Sequence, residues 1–337
     1  MGGWGYREKN SVYIRHQDFI INPTSPHNPI PHNPMTPLKL GTRKSPLALA
    51  QAQEVRARLL EASPGLAIEL VAMTTSGDST DRPLADIGGK GLFTKEIEEA
   101  LLDGRIDIAV HSVKDMQTVL PGGLTLGCVL EREDPRDRLV GKNIHSIVDI
   151  PKGARFGTSS LRRGAQLRML RPDITIVPLR GNVQTRLARL DSGDMDITML
   201  AVAGLNRLKL FDVPGISLST NEFLPAIGQG AIGIECREGD STVLELLSPL
   251  ADLDSETAIL CERAFLQTLD GSCRTPIAGY ATVEGNSLQF HGLILRPDGS
   301  AHHRVELTGS RDNAESLGVE AGEELLGKAG NGFLINQ

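Results

Sequence analysis

From Leu38 onward the chain alternates short apolar runs with longer amphipathic stretches, and no other feature narrows its fold as much. Parallel strands need a crossover long enough for a helix, so this alternation predicts βα units around mostly parallel sheets. Leu38 to Leu40 reads as a strand and Gly41-Thr42-Arg43-Lys44 as a turn. Ser45 is the N-cap and Pro46 the first residue of a helix running to about Ala62. Ala67 to Met73 is the next strand, and Thr74 to Gly91 is a long loop rich in Gly, Ser, Thr and Asp. Leu92 to Leu102 is a helix closed by Gly104, and Ile106 to Val113 is a buried strand delivering Ser112-Val113-Lys114-Asp115.

A second series begins near Ala154. Arg155 to Gly157 ends a strand, Thr158-Ser159-Ser160 caps a helix to about Leu170, and Ile174 to Leu179 is a strand. Asn182 caps the next helix, and Met195 to Val202 is another strand. The charged stretch Glu131 to Asp137 and the stretch Leu224 to Gly230 read as interdomain crossings, which would give two lobes around a cleft. The remainder reads as a small α+β domain. Its helix spans about Ser255 to Leu269, its strands are Ala278 to Val283, Leu288 to Leu295 and His302 to Leu307, and its last helix covers Asn313 to Ala329. The expected division is residues 38–131 with 231–249, then 136–225, then 253–337, after a disordered extension at 1–37. That extension repeats Pro-His-Asn-Pro and lacks the apolar run of a signal peptide, so Met35 is the expected native start.

Composition excludes some functions. Hydrophobic residues at 40% and charged residues at 23% fit a soluble globular protein, and no run reaches membrane-spanning length. A net charge of -7 argues against general nucleic-acid binding, but local basic clusters can still receive a small anion. The four cysteines form no Cys-x-x-Cys pair, so neither a zinc nor a redox motif is supported and no metal is expected. Without credible targeting, a reducing cytoplasmic setting is expected. Cys128, Cys236 and Cys261 lie in apolar contexts and read as core.

Basic side chains recur where strands end and helices begin: Arg43 and Lys44 before Ser45, Arg162 and Arg163 after Ser160, and Arg180 and Arg186 around Asn182. Ligands of open α/β sheets sit at such junctions, and arginine grips carboxylates or phosphates with two parallel bonds. Solvation or pairing with nearby acids is the competing reading of each arginine. Lys114-Asp115 is the best acid–base candidate, a common surface turn being its alternative. Gly88-Gly89-Lys90-Gly91 is no Walker loop, since Leu84 and Gly91 occupy the positions that need Gly and Ser or Thr; a lid hinged on glycines is the better reading. Cys273 lies in the loop Asp270 to Pro276, where a thiol can serve as an attachment point or fill a core. His111 has no evident Asp partner and reads as structural.

These segments occur in an order that resembles the hydroxymethylbilane synthases (porphobilinogen deaminases). The likeness rests on Gly41 to Ala48, Gly88 to Phe93, His111 to Asp115, Glu131 to Asp137, Gly157 to Arg163, Leu179 to Asn182, Gly228 to Ala231 and Gly271-Ser272-Cys273, and it covers residue 38 to the C-terminus. The resemblance implies two doubly wound α/β lobes like those of type II periplasmic binding proteins, plus a small α+β domain. It implies a monomeric transferase of heme and other tetrapyrrole biosynthesis, acting on the small molecule porphobilinogen, with no nucleic-acid or membrane partner. A dipyrromethane cofactor would be bound by thioether to Cys273, and Asp115 would be the general acid and base. Lys114, Asp115, Thr158, Ser160, Arg162, Arg163 and Arg186 would hold the cofactor, and Arg43, Ser45, Lys90, Arg180 and Gln229 the substrate. Four porphobilinogens would be deaminated and joined before hydrolysis releases hydroxymethylbilane. Asp86, Gln117 and Ser272 depart from the family pattern, standing where relatives often have lysine, proline and glycine. One rival is an anionic-solute binding protein of the periplasmic type, which needs no Cys273. The other is an inactive relative, which would lack Asp115 or Cys273; both are present.

Overall fold

A computed structural model of the chain describes residues 36–77, 91–269, 276–330 and 333. The first series comprises β1 (Leu38–Arg43), α1 (Pro46–Ala62), β2 (Ile68–Met73), α2 (Lys95–Leu102), β3 (Ile108–Ser112) and β4 (Leu124–Val129). The second comprises β5 (Asp137–Gly141), β6 (Arg155–Gly157), α3 (Leu161–Leu170), β7 (Thr175–Val177), α4 (Val183–Asp191), β8 (Ile197–Ala201), α5 (Val202–Arg207) and β9 (Gly215–Ser217). Then come β10 (Ile232–Arg237), α6 (Ser241–Leu247), α7 (Leu253–Thr268), β11 (Ile277–Glu284), β12 (Ser287–Leu295), β13 (His302–Ser310) and α8 (Ala314–Ala329).

These elements make two α/β lobes and a small C-terminal α+β domain. The lobe sheets run β2-β1-β3-β10-β4 and β7-β6-β8-β5-β9. Within them β1 is parallel to β2 and β3, and β6 to β7 and β8, whereas β10 and β5 run antiparallel to both neighbours. The two crossing segments lie side by side: Arg132 Nε donates to the Gln229 carbonyl at 2.9 Å.

Local sequence explains the helix starts. The Ser45 hydroxyl accepts from Ala48 N at 3.3 Å, that of Ser160 from Arg163 N at 3.3 Å, and the Asn182 side-chain oxygen from Thr185 N at 2.9 Å. Along α1, Ala48, Ala52, Val55 and Leu59 recur on one face and are buried, at the spacing of an amphipathic helix. Ala52, Val55 and Leu59 pack toward Leu38, Leu40 and Ile108 of the sheet. Covered on both faces, β3 is buried along Ile108 to His111.

The C-terminal sheet is antiparallel, in the order β11-β12-β13. Its first hairpin turns on Gly285-Asn286, with Gly285 at φ 59°. Phe265 of α7 meets Phe290 of β12 with ring centroids 4.8 Å apart and planes tilted by 58°. Helices α7 and α8 approach backbone to backbone, because a side chain at Gly318 would strike the Cys261 carbonyl.

Several boundaries differ from the sequence reading. The helix expected from Leu92 begins at Lys95: Gly91 has φ 78° and a turn precedes Thr94, the N-cap. The strand expected to reach Val113 stops at Ser112, and Val113–Asp115 is a 3-10 turn. The strands expected at 174–179 and 195–202 shorten to β7 and β8. The N-terminal extension with its Met35 start, and most of the glycine-rich loop, lie outside the described residues. Cys128, Cys236 and Cys261 are buried free thiols, and burial pushes Cys236 up to about 12.

Candidate active site

The central strand β3 ends in the 3-10 turn, so Lys114 and Asp115 stand at the carboxyl end of the first sheet, where ligands of such sheets bind. Met116 N–H closes that turn on the Val113 carbonyl at 3.1 Å. Arg43 leaves the neighbouring strand end. Its guanidinium lies 3.9 Å from the Asp115 carboxylate and 4.3 Å from the centre of the Phe93 ring. Arg43, Ser45, Gln51, Phe93, His111 and Asp115 line a cavity of about 50 Å³. Gln51 donates to the Ser112 hydroxyl at 2.8 Å, tying α1 to the end of β3.

Second-lobe arginines lie within electrostatic reach of Lys114 and Asp115. Asp115 and Arg163 both act on the charge of Arg186, and Asp115, Arg163, Asp137 and Arg162 all act on that of Lys114. Burial pushes the Lys114 ammonium down to about 8, with the two arginines adding to the effect and the two aspartates opposing it. Arg186 is pushed down to about 10, by burial and then by Arg163. Its Nε donates to the Gly181 carbonyl at 2.9 Å. Thr158 is buried, and its hydroxyl accepts from Ser160 N at 3.1 Å. Arg180 is half-buried at the end of the segment after β7.

Arg162 and Arg163 face inward. Arg162 Nη1 donates to Asp137 Oδ2 and the Leu224 carbonyl, both at 2.7 Å. Arg163 donates to Asp137 Oδ1 at 3.0 and 2.6 Å and to the Met199 carbonyl at 3.0 Å. The two guanidiniums outweigh burial and hold the Asp137 carboxyl well below the usual carboxylate range. Gln229, 1% exposed, gives its amide to Pro135 and to Asp137 at 3.2 Å. Gln229, Arg162 and Arg163 all donate to Asp137, a shared partner the sequence reading did not name. Arg162 and Arg163 both pair with that acid. Ser45 and Ser160 accept helix N–H bonds, which leaves their hydroxyl protons to donate elsewhere. Lys90 and Cys273, with Asp86 and Ser272, lie outside the described residues.

Sequence reasoning missed Phe93, Gln51 and Asp137 as parts of the site. Phe93 carried a signal, an aromatic residue directly after the glycine-rich run. Asp137 carried none, because its partners come from distant segments. His111 does have an acidic partner, Glu235, with Nε2 3.1 Å from the carboxylate and both side chains buried.

Together these features define a two-lobed α/β protein in which cationic side chains of both lobes lie within electrostatic reach of one carboxylate, Asp115. The family model "Porphobilinogen deaminase, dipyromethane cofactor binding domain" matches residues 38–245, and "Porphobilinogen deaminase, C-terminal domain" matches residues 256–327. The chain belongs to the porphobilinogen deaminase family, transferases of porphyrin biosynthesis, and its cofactor is dipyrromethane.

Among solved structures the chain is similar to YhfZ from Shigella flexneri at 17% identity, over 71% of this chain and 99% of that one, with a TM-score of 0.36. It is similar to DctP7, a Bordetella pertussis extracytoplasmic solute receptor binding pyroglutamic acid, at 13% identity over 70% and 85%, TM-score 0.40. It is also similar to the probable amino-acid transporter extracellular-binding protein ytmK from Bacillus subtilis, at 13% over 64% and 90%, TM-score 0.41. These are remote likenesses. Among the described residues no helix is long and apolar enough to cross a membrane.

The residues present fit an anionic bipyrrole. Lys114 and Arg186 are cations whose charge burial disfavours, and a carboxylate is the chemistry that complements them.

Proposed function

We propose that this chain has hydroxymethylbilane synthase activity, joining four porphobilinogens head to tail and releasing the linear product by hydrolysis. The observation that carries this reading is the Asp115 carboxylate, set between Arg43 of its own lobe and the field of Arg186 from the other. Cys273 holds dipyrromethane through a thioether, and when bound that group supplies the anchored pyrrole carbon to which substrate is added. Lys114, Thr158, Ser160, Arg162, Arg163 and Arg186 hold its carboxylates, Asp137 setting the two adjacent guanidiniums in place. Arg43, Ser45, Lys90 and Arg180 receive the substrate's acetate and propionate. A charge-assisted bond of this kind contributes about 1.5–3 kcal/mol, so the cations of both lobes together fix a ligand that carries several carboxylates.

Asp115 then does the proton work. Its carboxyl proton goes to the substrate's amine nitrogen as the carbon–nitrogen bond breaks and ammonia leaves. The resulting carboxylate faces the positive charge left on the pyrrole. After the new carbon–carbon bond forms, the carboxylate takes up the proton lost from the ring carbon. The reading carries with it a monomer working in the cytoplasm.

Asp115→Asn tests it. The variant should keep its cofactor, seen as the unchanged mass of the purified protein, and lose turnover of porphobilinogen by about 10²–10⁴-fold. Wild-type turnover in the variant would remove Asp115 from the reaction.

A further inference from the structure

Beyond Asp115 the chain must leave the site in a fixed direction, and the way it does so assigns a role to Gln117. Met116 sits at φ -79° and ψ 152°, an extended conformation. A proline at 117 would impose that conformation on its predecessor by steric contact alone. Here the position holds glutamine, and its side chain supplies hydrogen bonds in place of that contact. Gln117 Nε2 donates to the two carboxylate oxygens of Glu98 on α2, at 3.3 and 3.2 Å. The Gln117 and Thr118 carbonyls accept from Arg263 Nη2 on α7, at 2.7 and 2.9 Å. Glu98 and Arg263 are each 4% exposed, so these bonds are made out of water, where a broken one leaves a buried group unpaired. A side chain at Gly91 would come within 2.7 Å of the Gln117 amide, which closes the third side. Among the described residues the Gln117 N–H has no acceptor, so a proline there would break no backbone bond.

We propose that Gln117 is a positioning residue: with Glu98 and Arg263 it ties the turn carrying Asp115 to α2 on one side and, on the other, to α7, the helix that precedes the Cys273 segment. The inference rests on the reading of Asp115 as the acid and base. Glu98 needs these donors. Burial raises its affinity for a proton and Glu235 on β10 adds to that, while the Thr94 hydroxyl, the Gln117 amide and His111 on β3 oppose it. Losing the Gln117 amide would leave the buried Glu98 carboxylate short of a donor.

The test uses the full-length, cofactor-loaded protein as wild type, Gln117→Ala and Gln117→Pro, with kcat and KM for porphobilinogen and amide exchange across residues 113–118. The alanine variant should lose kcat by about 10- to 100-fold, the loss expected when a reacting group is displaced by about an ångström, with little change in KM. Its amides at 113–118 should exchange faster. Gln117→Pro should recover most of kcat and the slow exchange, which a purely structural loss would not allow. Wild-type kcat in Gln117→Ala, or a proline variant as slow as the alanine one, overturns the proposal. If wild type itself shows no turnover, the functional reading fails. Exchange still decides the tie in that case: faster in alanine and slow in proline supports it, and unchanged exchange in alanine refutes it.

Discussion

The two lobes share a sheet plan and differ in how they spend their charges. In each, three parallel strands are followed by a strand running antiparallel to both its neighbours, and that strand, β10 or β5, comes directly off a crossing. Lobe one sets Arg43, Lys114 and Asp115 at its strand ends, with the Arg43–Asp115 pair long at 3.9 Å and the Asp115 side chain 36% exposed. Lobe two locks Arg162 and Arg163 onto Asp137, whose side chain is fully buried. One aspartate is partly open to solvent, and the other is held as a buried carboxylate by two guanidiniums. Under the proposed function this is a division of labour: lobe two braces its guanidiniums on a buried acid, and lobe one carries the group proposed to react.

The sharpest way to break this comparison is Asp137→Asn. It leaves two guanidiniums buried without their shared carboxylate and should cost about 3–5 kcal/mol of stability, read from the urea midpoint. The matching change in lobe one, Asp115→Asn, removes a half-exposed pair and should cost under about 1 kcal/mol. Equal losses in the two variants would erase the distinction. A smaller effect concerns Lys114, whose ammonium is held down to about 8. Its protonated share falls as pH rises through that value, so attraction for carboxylates falls with it. The kcat/KM for porphobilinogen, which reports the free enzyme, should therefore decline by a few-fold above about pH 8. Lys114→Arg, charged throughout, should remove that limb. A wild-type profile flat through that range would show that Lys114 does not meet the ligand.

Much of the architecture was legible because local chemistry decides it. Ser45, Ser160 and Asn182 cap helices where their side-chain oxygens dictate, and Lys114-Asp115 follows the buried run that forms β3. The Asp137 contacts of Gln229, Arg162 and Arg163 were not legible because the partners are not local. Asp137 precedes Arg162 by 25 residues, and the Leu224 carbonyl follows it by 62. A basic residue after a helix cap looks the same in sequence whether it meets a ligand or a buried acid. The antiparallel strands β5 and β10 were obscured for a related reason, since they begin at the crossings and pair with strands far away in sequence. Gln117 looked like a simple departure until Glu98 and Arg263 were seen around it.

The most direct measurement is the intact mass of the purified protein during brief exposure to porphobilinogen, beside Cys273→Ser. A covalent chain growing in this cleft predicts a wild-type mass already raised by two linked pyrroles. Substrate should then add a ladder of species, each heavier by one pyrrole unit, and Cys273→Ser should stay at the mass of the bare chain. An unmodified wild type from a host that makes porphobilinogen, or a ladder that persists in Cys273→Ser, would contradict the account.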